Sequence, residues 1–134
     1  MSRRDKYGQH RSFSLSERLE SFRDAFRGMA TLLRFEHNAR IHLVILLIVI
    51  LAGFLLRISV GDWMAILCVS GLVLVAECFN TAIENLSDLI TDKPNEYIRR
   101  AKDTAAAGVL ISAVISVAAG LLIFIPAVLR LVSR

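Results

Sequence analysis

Three stretches of this chain are too apolar to face water: residues 41–58, 63–76 and, from about Ala105, 105–132. The first two carry one arginine and one histidine between them. With their flanks, each supplies about 20 residues of helix, enough to cross a hydrocarbon layer about 30 Å thick. In lipid the backbone must satisfy its own hydrogen bonds, so an apolar stretch of this length predicts a helix. At 134 residues, 55% hydrophobic and a mean hydropathy of +0.58, the chain reads as one small all-α integral membrane domain rather than a soluble one. The expected layout is a flexible basic tail at 1–15, then a membrane domain at 16–134. That domain comprises a surface helix at about 16–34 and spans at about 41–58, 63–90 and 97–131.

The second span is not apolar to its end. Residues 77–88 read Glu-Cys-Phe-Asn-Thr-Ala-Ile-Glu-Asn-Leu-Ser-Asp and follow the apolar run without a loop signal. At about 100° per residue, Glu77, Asn80, Glu84 and Asp88 fall at about 0°, 300°, 340° and 20°, on one stripe of a continuous helix. Counted from Trp63, Glu77 lies roughly 21 Å along the axis, inside the hydrocarbon. Glu84 lies roughly 31 Å along, near the far interface, with Asp88 beyond it. An acidic side chain at depth costs about 2.5–3.5 kcal/mol, so it is rare and usually functional. Glu77 alone could snorkel or make a packing hydrogen bond. Two further carboxylates and an amide on the same stripe favour a site.

The remaining polar residues frame that stripe. Arg3, Arg4, Lys6 and Arg11 make the tail a partner for anionic headgroups. Ser14 or Ser16 could cap the next helix, with Glu17 and Glu20 in its first turn. Leu19, Phe22, Phe26, Met29 and Leu33 repeat at spacings of three and four, with Arg18, Arg23, Asp24 and Arg27 on other faces. That is an amphipathic helix suited to the membrane interface. Glu36, Asn38, Arg40 and His42 precede the first span, and each suits an interfacial anchor. Glu36 also matches the depth of Glu84. Residues 59–62 read as a tight hairpin before Trp63, and 91–96 as a turn punctuated by Pro94 and Asn95.

Arg99, Arg100, Lys102 and Asp103 open the third span, which is rich in small residues. Gly108, Ser112, Ser116 and Gly120 recur every four positions, a ridge that predicts close helix packing and is compatible with a homo-oligomer. Cys68 and Cys78, roughly 15 Å apart on one helix, cannot pair, match no zinc spacing and read as packing residues. Of 16 Lys and Arg, 9 lie in 1–40 and 4 in 91–104. Both segments are therefore expected in the cytoplasm and the C-terminus outside. The formal charge of +4 flanks membrane spans, which argues against nucleic acid as a partner. The first forty residues show no signal-peptide core.

Glu36, Glu84, Asp88, Lys102 and Asp103 thus gather at the cytoplasmic boundary, with Glu77 just above them. Carboxylates there can hold magnesium together with substrate phosphates. Lysine and arginine can hold phosphate oxygens. A carboxylate set deeper is placed to take a proton from an alcohol, and an alcohol at that depth is a lipid headgroup. The arrangement suggests phosphoryl transfer from a cytoplasmic nucleotide to a lipid hydroxyl. No glycine-rich phosphate loop is present, so side chains and metal must hold the nucleotide. A small oligomeric transporter or proton relay could also use Glu77. A relay, however, has no use for the crowd at one interface, and no internal repeat suggests a transporter.

The run Glu77-x-x-Asn80-Thr81-Ala82-Ile83-Glu84-x-x-x-Asp88 resembles the signature of the small bacterial membrane diacylglycerol kinase family, which includes undecaprenol kinases. The resemblance extends to Arg100-Ala-Lys102-Asp103 and back to Glu36-x-x-x-Arg40, over about residues 17–125. Phe79 and Ser87 depart from the usual aliphatic residue and valine, both off the acidic stripe. The resemblance implies an ATP- and magnesium-dependent lipid kinase of the bacterial inner membrane, a homotrimer with sites shared between subunits. Carried over residue by residue, it implies Glu77 as the general base and Glu36 and Glu84 as metal ligands. It implies Asn80, Asp88, Lys102 and Asp103 as supports of the triphosphate, with Lys93, Pro94 and Asn95 bordering the nucleotide. The surface helix, with Phe22 and Phe26, would fence the lipid together with Glu77 and Ala106. The run Glu36-His-Asn38-Ala-Arg40-Ile-His42 resembles the undecaprenol-kinase branch, while diacylglycerol remains an equally admissible acceptor.

Overall fold

The computed structural model describes residues 15–91 and 93–133. They form four helices: α1 (Leu15–Phe35), α2 (His37–Leu56), α3 (Val60–Ile90) and α4 (Glu96–Val132), with no strand among the described residues. Residues 1–14 of the basic tail expected at 1–15, the capping option at Ser14 and the turn residue Asp92 lie outside the described residues, and Leu15 is the first residue of α1. Ser16, the other capping option, lies inside α1. Helices α2, α3 and α4 are each long and apolar enough to span a membrane. At about 1.5 Å per residue, the 31 residues of α3 and 37 of α4 reach roughly 46 and 55 Å, well beyond the hydrocarbon thickness.

The polar cluster before the first span is largely helical. Only Glu36 separates α1 from α2: it adopts extended dihedrals (φ −95°, ψ 117°), donates its N–H to the Leu32 carbonyl at 2.9 Å and occupies the N-cap of α2. Its side chain makes no cap hydrogen bond, so the carboxylate is not consumed by the backbone.

Residues 59–62 are not a hairpin. The link between α2 and α3 is shorter, Arg57 to Ser59. Arg57 takes the left-handed conformation (φ 51°, ψ 51°), and Ile58 N–H reaches back to the Gly53 carbonyl at 3.2 Å, closing the helix end. Ser59 then caps α3. Its hydroxyl accepts from Asp62 N–H at 3.2 Å, while its own N–H donates to Asp62 Oδ2 at 3.0 Å. This reciprocal box starts the helix at once and leaves no room for a loop.

Helix α3 packs principally against α4 and less extensively against α2. At the end of the bundle formed by the α2–α3 link, Ile58, Ile66 and Ala127 form a buried cluster, flanked by Trp63, Ile123 and Phe124. The Trp63 indole lies 4.9 Å from the Phe54 ring and covers Gly53. The small-residue ridge divides. Ser112 is buried and returns its hydroxyl proton to the Gly108 carbonyl at 2.8 Å, whereas a Cβ on Gly108 or Gly120 would meet nothing within 4 Å. Cys68 and Cys78, expected to pack, are exposed on the chain, because an apolar position on a spanning helix can face lipid as readily as protein.

The Gly53–Trp63 contact gives the first prediction. A Cβ at Gly53 would stand 2.8 Å from the indole Cη2 and 3.0 Å from Ile58 Cδ1. Gly53→Val is expected to cost about 1–3 kcal/mol through overpacking. Reversible denaturant unfolding in micelles measures this, and wild-type stability in that variant would show that the indole yields freely.

Candidate active site

The stripe on α3 faces inward at its most apolar depth. Glu77 is 2% exposed, and Asn80, Thr81 and Ser87 are buried with it. The nearest basic group to Glu77 comes from α2: His42 Nε2 approaches Glu77 Oε1 at 3.3 Å. Ala39, three residues before His42 and on the same face of α2, is wholly buried, so this turn is packed into the protein. The imidazole is close but makes no hydrogen bond to Glu77 Oε1, which has none from any described residue. Glu36 and Glu84 both lie within electrostatic reach of Glu77, so three carboxylates share one region.

Glu84 is held by its own helix. Asn80 Nδ2 donates to Glu84 Oε1 at 3.0 Å, one turn apart. Asn80 Oδ1 and Thr81 Oγ1 remain buried without a partner. A buried polar atom left unpaired costs about 1–3 kcal/mol. Three such atoms fall within residues 77–81, and their polarity is not used by packing contacts among the described residues.

A second polar region lies where α3 turns into α4. Asp88, Lys93, Pro94, Asn95, Arg99 and Lys102 line an open hollow of about 520 Å³. Lys102 Nζ donates to Asp88 Oδ1 at 3.0 Å and ties the two helices together. Arg99 grips Glu96 through both carboxylate oxygens (2.8 and 3.0 Å) and Asp103 at 3.0 Å. The structure thus brings five of the residues expected near the nucleotide into one hollow. Asp103 joins them through Arg99. Asn80 does not join them: it lies roughly 12 Å up the helix from Asp88, beside Glu84.

Phe22 and Phe26 stand on the open apolar face of α1, at 64% and 65% exposure, and Ala106 is exposed on α4. A slot of about 530 Å³ does separate α1 from α3, lined by Arg27, Met29, Cys78, Thr81 and Asn85 among others. None of Phe22, Phe26 and Ala106 lines it.

His42 is the residue whose contact the sequence reading missed. The signal was present. His42 lies six residues past Glu36, roughly 9 Å further into the membrane, and Glu77 lies seven before Glu84, roughly 10.5 Å. On antiparallel spans, equal depth for Glu36 and Glu84 therefore sets His42 level with Glu77.

No group of three or more His, Cys, Asp or Glu is placed to enclose a metal ion among the described residues. Magnesium asks for less, one or two carboxylates completed by phosphate and water. The oxygen-only set of Glu36 and Glu84, beside the unpaired Asn80 Oδ1, fits that demand.

A family model described as prokaryotic diacylglycerol kinase matches residues 23–124 of this chain. The chain is 42% identical over 117 residues to a Bacillus subtilis undecaprenol kinase, covering 87% of this chain and 94% of that protein. It is 34% identical over 114 residues to a Synechocystis diacylglycerol kinase, covering 84% of this chain and 65% of that protein. The chain therefore spans just under two thirds of the Synechocystis protein's length.

Asn95 lines the hollow and also caps α4, its Oδ1 accepting from Tyr97 N–H at 2.9 Å and Ile98 N–H at 3.3 Å. Asn95→Ala is expected to cost about 0.5–2 kcal/mol of local stability, and Asn95→Asp to keep the cap. Amide hydrogen exchange at Tyr97 and Ile98 reads the difference directly. Equal protection in the two variants would remove the cap from the account.

Proposed function

This chain belongs to the prokaryotic diacylglycerol kinase family, and on that premise we propose that it transfers the γ-phosphoryl group of ATP to the hydroxyl of a membrane lipid. The observation that carries the reading is Glu77, a carboxylate 2% exposed on a spanning helix, level with His42 and within reach of Glu36 and Glu84. The lipid hydroxyl gives its proton to Glu77 as its oxygen bonds to the γ-phosphorus. The bond from that phosphorus to the bridging oxygen breaks, and ADP leaves. The hollow between α3 and α4 supports the nucleotide, with Lys102, Asp88 and the turn at Lys93, Pro94 and Asn95 around it. Glu36 and Glu84 would hold magnesium, which when bound neutralises phosphate charge. Asn80 orients Glu84, and Asp103 restrains Arg99 beside the hollow.

Undecaprenol is the acceptor better supported, by the higher identity and fuller coverage of the Bacillus subtilis relative and by the run from Glu36 to His42. Phe22 and Phe26 on α1 would border the lipid, with Ala106 on α4. A homotrimer with shared sites accounts for the large apolar surface left open on every span and for glycines whose smallness the single chain does not use. The excess of basic residues supports a bacterial inner-membrane orientation with the α3–α4 turn and the N-terminus in the cytoplasm and the C-terminus outside. A transporter or proton relay would leave the hollow and the kinship with kinases unexplained.

Purified protein in mixed micelles, given labelled ATP with undecaprenol and diacylglycerol side by side, tests the reading. Undecaprenol is expected to be phosphorylated faster. Glu77→Gln is expected to lower turnover by about 10²–10⁴-fold with fold and oligomer size unchanged, and near wild-type turnover would refute the base. Glu36→Ala and Glu84→Ala are expected to raise the magnesium needed for half-maximal rate sharply. Superimposable magnesium titrations would remove both as ligands.

A further inference from the structure

We propose that His42 is a positioning residue for Glu77: its Nε2–H holds Oε1 of the carboxylate and leaves Oε2 to receive the lipid proton. The inference rests on the proposed role of Glu77 as base. His42 comes from a different helix, stands 3.3 Å from Oε1 and is 22% exposed. Glu77 Oε1 has no hydrogen bond from any described residue. Of the charged groups acting on Glu77, His42 alone is basic, since Glu36 and Glu84 are acidic. A buried carboxylate needs a donor, and among the described residues His42 Nε2 is the basic group that comes within 4 Å of it.

The surroundings sharpen the argument. On its other side His42 lines an apolar crevice of about 120 Å³ between α2, α3 and α4, with Ile45, Val69, Ser70, Val73 and Ser116 among its walls. Water competes little there, so one N–H···O bond is worth more than at a surface. One ring N–H is all the donor this role requires, and no proton passes through the imidazole. The contact is 3.3 Å long, and catalytic hydrogen bonds are often long or poorly aligned before substrate binds. The step itself is unchanged: the hydroxyl proton ends on Glu77, the new bond is from lipid oxygen to phosphorus, and ADP departs.

The test uses the full-length protein in mixed micelles and compares wild type, His42→Gln, His42→Leu and Glu77→Gln. Glutamine keeps an N–H donor, and leucine keeps comparable bulk without one. The expected result is a kcat lower by about 10–100-fold for His42→Leu, a KM for ATP within about twofold of wild type, and substantial recovery of kcat in His42→Gln. Thermal midpoints and oligomer size are followed in parallel, and His42→Met gives the same contrast if the leucine protein does not fold. A wild-type kcat in His42→Leu with an inactive Glu77→Gln overturns the role of His42 alone. So does a loss that is equal in His42→Gln and His42→Leu and tracks their thermal midpoints, the mark of a merely structural residue. An active Glu77→Gln overturns the base itself, and the positioning role with it.

Discussion

A carboxylate inside a lipid-spanning helix must find its compensation within the protein, because neither water nor hydrocarbon supplies it. Glu77 is buried, and everything polar near it is arranged around that fact. His42 comes up beside it from the neighbouring helix. Glu84 is turned and held by Asn80 one turn away. Glu36 sits at a one-residue break that leaves its carboxylate uncommitted to the backbone. Among the described residues, the buried side-chain atoms left unpaired are Glu77 Oε1, Asn80 Oδ1 and Thr81 Oγ1, all within residues 77–81.

The apolar cluster and the polar ties between helices occupy opposite ends of the bundle. The buried apolar cluster and the Trp63 stack lie by the short link between α2 and α3, where a capping box and a left-handed closure fix both helix ends. At the other end the helices are joined by the α3–α4 turn and tied by polar contacts, Lys102 to Asp88 and Arg99 to Glu96 and Asp103. Such exposed pairs add little stability each.

Much of this was legible in the sequence, for reasons specific to membranes. A spanning stretch has few structural options, so three apolar runs and one amphipathic segment translate into four helices. A stripe of polar residues at helical spacing survives translation too, which is why Glu77, Asn80 and Glu84 share a face. What was not legible depends on partners. Periodicity does not separate a lipid-facing position from a protein-facing one, so Cys68 and Cys78 read as packed and are exposed. Ser59 to Asp62 carries turn-forming residues, and the same residues make a helix cap when the preceding helix closes tightly. The single-residue break at Glu36 depends on one pair of dihedral angles. The approach of His42 to Glu77 needed only a comparison of depths on two antiparallel helices.

The lengths of α3 and α4 carry one more consequence. Both exceed what a bilayer requires, and the surplus at the α3–α4 turn holds the hollow proposed for the nucleotide. The two faces of the proposed reaction then share the same two rigid rods. A thicker bilayer draws that surplus inward or forces the helices upright, so the membrane's own thickness becomes part of the geometry that sets donor against acceptor.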